Sequence, residues 1–268
     1  MTDNTDHGEF IAVLREFYTL LSRLGVVPFE MLQLPDPNTG VHPEGAINTE
    51  AASAGGFAPE TVRLMTMLPY LAVGQHDWSL QLLPSTHPIT YLGADLEEGD
   101  FRSQRELLHD VEMPPSAIRL TWSDNYGTEF IYDTATKLMV AWEPFQNPDE
   151  VYDYAHVAGA SPREVLAPVI EDYKRLRHIA IPDRVEFSSS FFADSGGVPP
   201  REWSAREQRS WKRAYDIWEA MQKLRDFYLE CGWDMDGDVD QKDFRLDEFL
   251  AKREAYMRDV LGPLIEAE

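Results

Sequence analysis

The sequence predicts an α+β fold, an antiparallel sheet with flanking helices followed by a C-terminal helical extension. Three observations predict it. Apolar residues recur at helical spacing from Phe10 to Leu24. Short apolar runs divided by turn residues follow one another between residues 118 and 142. Two Ser-x-x-Glu signatures, Ser161 to Glu164 and Ser204 to Glu207, open helices in the second half. The expected division is an α+β core over 1–187 and a helical hairpin over 188–268, with the Ser, Gly and Pro residues of 188–202 as the hinge.

Each element has its own reason. Phe10, Val13, Leu14, Phe17, Leu20, Leu21 and Leu24 share one helix face, and Gly25 and Pro28 end that helix. Residues 35–56, rich in Pro, Gly, Asn, Ala and Ser, read as a loop. Pro59 opens a short helix to about Leu68. Trp78–Leu83 and Ile89–Leu92 read as short strands, and Phe101–His109 as a short helix. Ile118–Trp122, Glu129–Asp133 and Leu138–Trp142 then form an antiparallel meander, turned by Ser123–Gly127 and Thr134–Lys137. The Ser161 capping box, with Pro162 at the first helical position, starts a helix to about Arg177. The Ser204 box starts a long helix to about Cys231, stopped by Gly232. Trp211, Ala214, Tyr215, Trp218, Met221, Leu224 and Tyr228 line one face of it. A last helix over about Phe244–Leu261 is its expected partner in an αα-hairpin.

Composition narrows the function classes. The chain of 268 residues is 43% apolar, enough for a sizeable core. It carries 47 acids against 24 Lys and Arg, a net charge of −23, which argues against nucleic acid and anionic membranes as partners. Residues 1–150 hold 23 acids and 7 bases, so most of the excess lies there. A single cysteine, Cys231, excludes an intramolecular disulfide framework. The polar, acidic start Met1–Glu9 does not read as a targeting peptide, and no apolar run reaches membrane-spanning length. The expected location is therefore cytoplasmic or nuclear.

The chemistry-bearing residues each have an ordinary reading that outweighs the sharp one. Asp234-Met235-Asp236-Gly237-Asp238-Val239-Asp240 invites a calcium loop. Counted from Asp234, however, Val239 stands where an EF-hand needs Gly and Arg245 where it needs Glu, so a solvated acidic turn is expected. Glu106/His109 and Asp153/His156 are carboxylate–His pairs at i, i+3, yet they lack the further Glu donors of a dimetal bundle. Asp194-Ser195-Gly196-Gly197 resembles the surroundings of a chymotrypsin-type nucleophile but has Ala193 where Gly precedes the Asp. No G-x-S-x-G, G-x-G-x-x-G or P-loop occurs. Cys231 falls at a helix C-terminus, where the dipole disfavours a thiolate, and reads as structural. No catalytic, cofactor-binding or metal residue is assigned.

One stretch carries a family resemblance. Ile118-Arg119-Leu120-Thr121-Trp122-Ser123-Asp124-Asn125-Tyr126-Gly127-Thr128-Glu129-Phe130-Ile131-Tyr132-Asp133, followed by Leu138-Met139-Val140-Ala141-Trp142-Glu143-Pro144, resembles the central meander of the SUKH superfamily. Phe57-Ala58-Pro59-Glu60 and Leu68-Pro69-Tyr70 are similar to that family's opening, so the likeness covers about residues 10–160. The layout is also similar to that of proteins from filamentous fungi. The resemblance implies an α+β binding scaffold related to regulators of fungal cell-wall assembly and to bacterial immunity proteins, with no catalytic residues to carry over.

The leading expectation is a non-enzymatic, acidic protein-interaction or regulatory module, using the sheet face and the 35–56 loop, for a partner with a basic surface. The rival is a small-molecule enzyme or accessory protein of a specialised-metabolite pathway. Its pocket would be lined by Trp78, Tyr91, Trp122 and Trp142, with His76 or His109 as general base.

Overall fold

The protein is described by a computed structural model over residues 6–73, 80–107, 111–124, 127–144, 154–181, 184–187, 203–238 and 241–266. Its first helix, α1 (Gly8–Arg23), buries the predicted stripe, from Phe10 to Leu21. Gly25 ends it at φ +66°, a left-handed conformation that costs glycine little. A Cβ there would also lie 2.8 Å from the side chain of Leu250 in the C-terminal region.

The short helices α2 (Thr49–Ala54) and α3 (Pro59–Met65) follow, with a two-residue ribbon between β1 (Leu32–Gln33) and β2 (Tyr70–Leu71). Helix α4 (Glu98–Arg105) is opened by a Glu97–Asp100 capping box. Strand β3 (Thr86–Pro88) pairs antiparallel with β5 (Thr121–Ser123). The larger sheet has the order β4 (Ala117–Arg119), β6 (Glu129–Asp133), β7 (Leu138–Trp142), all antiparallel. Period-two alternation sends apolar side chains of this sheet to both faces. Ile118, Phe130, Tyr132 and Met139 enter the main core, where Phe10 of α1 stacks on Tyr132 at 4.0 Å. Ala117, Ile131, Val140 and Trp142 enter a smaller cluster with Leu107 and Met113.

Helix α5 (Pro162–Lys174) packs against α1 and β7. Ser161 Oγ accepts from the Glu164 amide at 3.3 Å, and Glu164 accepts from the Ser161 amide at 3.0 Å. Ser161→Ala is expected to cost about 1 kcal/mol, read as a lower denaturant midpoint at unchanged slope. A hairpin of β8 (His178–Ile181) and β9 (Arg184–Phe187) comes next.

The long helix α6 (Ala205–Glu230) starts at the predicted Ser204 box. It packs against α7 (Leu246–Tyr256) and the turns after it. Pro263 offers no N–H to a carbonyl one turn back, and residues 257–261 form a wide π turn in which the Gly262 amide reaches Met257 O. Both C-terminal helices share the main core with the first part, through Met221, Leu224, Tyr228, Trp233 and Phe249. Tyr228 Oη donates to Leu24 O at 2.8 Å, and Trp233 Nε1 to Lys174 O at 2.8 Å.

The mixed α and β content, small antiparallel sheets and C-terminal helices agree with the predicted fold class. The predicted bounds of β6 and β7 hold. Several elements differ. Residues 49–54, read as loop, are helical because Asn48 caps them, its Oδ1 accepting from the Ala51 amide at 3.1 Å. The strand read over Ile118–Trp122 is two strands with different partners, since β4 joins β6 and β5 joins β3. Between Trp78 and Leu92 the regular strand is Thr86–Pro88, between the two expected runs; residues 78 and 79 lie outside the described residues. The helix expected to run to Arg177 ends at Lys174, and the β8–β9 hairpin was not anticipated. The 188–202 hinge lies outside the described residues.

Candidate functional site

The first face of the β4-β6-β7 sheet is covered only in part. Phe130 and Ala141 are opposite one another, as are Tyr132 and Met139, so all four share that face. Phe10 caps Tyr132, whereas Ala141 is small and exposed. Over this end of the face lies a cleft of about 490 Å³. The sheet side contributes Thr128, Phe130, Ala141 and Glu143. Helix α5 contributes Val165, Val169 and Asp172, a stripe at i, i+4, i+7, while its Leu166, Ile170 and Tyr173 turn into the core. Leu83, Pro84 and His178 close the ends.

Local chemistry holds these walls in place. The Thr128 amide donates to Thr86 Oγ1 at 2.8 Å, tying the 83–86 segment to β6. Gly127 permits that approach, because a Cβ there would sit 1.8 Å from Ser85 O. Tyr173 Oη donates to Leu82 O at 2.7 Å, which fixes the same segment to α5.

The cleft is apolar with an acidic edge. Asp172 accepts from Arg177 Nε at 2.6 Å, and its other oxygen lies 3.5 Å from His178 Nε2. Burial lowers the pKa of His178, and Arg177 adds to this while Asp172 opposes it. Glu143 is exposed and makes no ion pair among the described residues.

His178 therefore makes a pH prediction. His42 is also shifted down by burial, against the opposing effect of its bond to Leu68 O. A folded-state pKa below the ordinary 6.5 means that the unfolded chain binds more protons as pH falls through that value. The stability contributed by neutral His42 and His178 is thus complete above about pH 6.5 and is lost on acidification. The stability difference between wild type and His178→Gln should shrink from pH 7.5 to 5. Comparing the two proteins cancels the relief of net negative charge, which both share.

None of the described residues singled out in the sequence lines this cleft. Tyr91 is buried in the main core and donates to Arg119 O at 2.9 Å. Trp122 stacks on the buried His87 at 4.3 Å. Trp142 belongs to the smaller cluster, against Tyr154. Tyr91 and Trp142 thus line different clusters instead of one pocket. Trp78, His76, His109, Asp153 and the 194–197 segment lie outside the described residues; Glu106 and His156 are exposed.

Of the acidic segment 234–243, Val239 and Asp240 lie outside the described residues, and Asp234 and Gln241 are tied by hydrogen bonds of their own. Gln241 accepts from the Asp234 amide at 2.9 Å and donates to Asp234 O at 2.7 Å. Among the described residues no group of three or more His, Cys, Asp or Glu side chains is placed to hold a metal ion. Cys231 caps α6 and is buried, which raises its thiol pKa.

No family model, curated protein or solved structure matches the chain. The cleft must therefore be read from its own residues. Among the described residues no helix is long and apolar enough to cross a membrane. A second polar cluster, away from the cleft, is structural in form. Glu129 accepts from Arg119, and from Ser123 Oγ at 3.1 Å, on the other face of the sheet. It holds the chain where β4 gives way to β5.

Proposed function

We propose that the chain is a non-enzymatic protein-interaction module, regulatory in role and SUKH-like in its meander, which docks a partner in the sheet-face cleft. The observation that carries this reading is the cleft itself: apolar walls from β6, β7 and α5, an exposed rim at Ala141 and Glu143, and carboxylates at its edge. An exposed apolar surface framed by polar groups is what a protein interface presents. The acid excess over residues 1–150 supports a partner with a basic contact surface.

Val169→Trp, which fills the cleft from α5, tests this reading. Wild-type bait should capture a specific protein from cells that express the chain natively, and the yield should fall as salt rises. The folded Val169→Trp bait should lose that protein. Capture that is equal with both baits, or no capture by either, contradicts the proposal.

One observation favours a second reading, an enzyme acting on a small molecule. His178 has a lowered pKa and stands 3.5 Å from Asp172 within the cleft, the ingredients of a general base. That reading expects a small molecule in natively purified protein, detected by mass spectrometry and lost in His178→Gln. The docking reading expects His178→Gln to retain the captured partner.

A further inference from the structure

Two acids line the cleft, and one of them, Asp172, pairs with Arg177. Glu143 is different: it stands exposed at the cleft rim with no cation on it among the described residues. Behind it lie Val165, Val169 and Phe130, apolar surface of the kind that accepts the methylene stem of a long basic side chain.

We infer that the partner anchors itself in this cleft with one arginine, its guanidinium on Glu143 and its stem along Val165 and Val169. The inference rests on the docking reading and names what docks. Arginine fits better than lysine, because a guanidinium is more weakly hydrated than an ammonium and pairs with a carboxylate through two parallel hydrogen bonds. A side chain projected from a protein surface fits better than a free small molecule. Sites for small molecules bury about 70–90% of the ligand, whereas here Ala141 and Glu143 leave the rim open.

The test uses amide NMR of the full chain with two blocked heptapeptides, Ser-Val-Leu-Arg-Leu-Val-Ser and the same peptide with citrulline, a neutral isostere, in place of arginine. The arginine peptide should shift the amides of Ala141, Glu143, Val165 and Val169. The citrulline peptide should bind about tenfold more weakly. Glu143→Gln should weaken the arginine peptide to the citrulline level and leave the citrulline peptide unchanged, which isolates the pair as a double-mutant cycle does. Equal binding of the two peptides, shifts outside the cleft, or no binding by either peptide overturns the inference. Methylguanidinium binding as tightly as the peptide also overturns it, in favour of a small cation. None of these outcomes bears on capture by wild type against Val169→Trp, so a failed anchor and a failed docking reading are distinguishable.

Discussion

Tyr228→Ala is expected to destabilise the protein by about 4 kcal/mol or more. Tyr228 is 2% exposed, stacks on Phe249 at 3.8 Å and donates to Leu24 O at 2.8 Å. It therefore holds α6 to α7 and both to the end of α1. Truncation removes a buried ring, leaves a cavity and orphans a buried carbonyl. Tyr228→Phe keeps the ring and should cost only about 1–2 kcal/mol. Because one core joins the two parts, tryptophan fluorescence and far-UV circular dichroism should report one coincident denaturant transition, displaced as a whole by either substitution. Two separate transitions, with only one of them displaced, would show that the helical part is stable by itself.

Arg119→Ala carries the second large effect. The side chains of Arg119 and Glu129 are 11% and 4% exposed, and removing the cation leaves a buried carboxylate without its charge partner. A loss of about 3–5 kcal/mol is expected. The double substitution Arg119→Met with Glu129→Leu should recover most of it, because two apolar groups need no pairing in a dry site. Chemical denaturation of wild type, single and double variants reads this directly. A single variant as stable as wild type would mean that water reaches Glu129.

Much of the fold was legible because short-range rules set it. Short apolar runs between turn residues gave Glu129–Asp133 and Leu138–Trp142 their bounds, and Ser161 and Ser204 announced α5 and α6 through side-chain caps that the structure retains. Residues 49–54 were misread because Ala and Ser beside Gly resemble a loop, although Asn48 followed by Thr, Glu and Ala is a cap followed by helix formers. The β8–β9 pairing left a signal too: His178-Ile-Ala-Ile and Arg184-Val-Glu-Phe are short strand-like runs two residues apart in the sequence, hidden by extending α5 too far. The cleft was not legible. Its walls come from 83–84, 128–143, 165–172 and 178, and each segment alone has ordinary core or helix spacing. Only the small side chain of Ala141, beside the larger Met139 on the same face, hinted that the sheet would be left open there.

Hydrogen–deuterium exchange on the chain with and without its captured partner tests the docking claim most directly. Amides of 138–144 and 162–174, which border the cleft, should exchange more slowly in the complex, while those of α6 and α7 stay unchanged. Protection confined to α6 and α7, with both cleft segments exchanging as in the free chain, would contradict it.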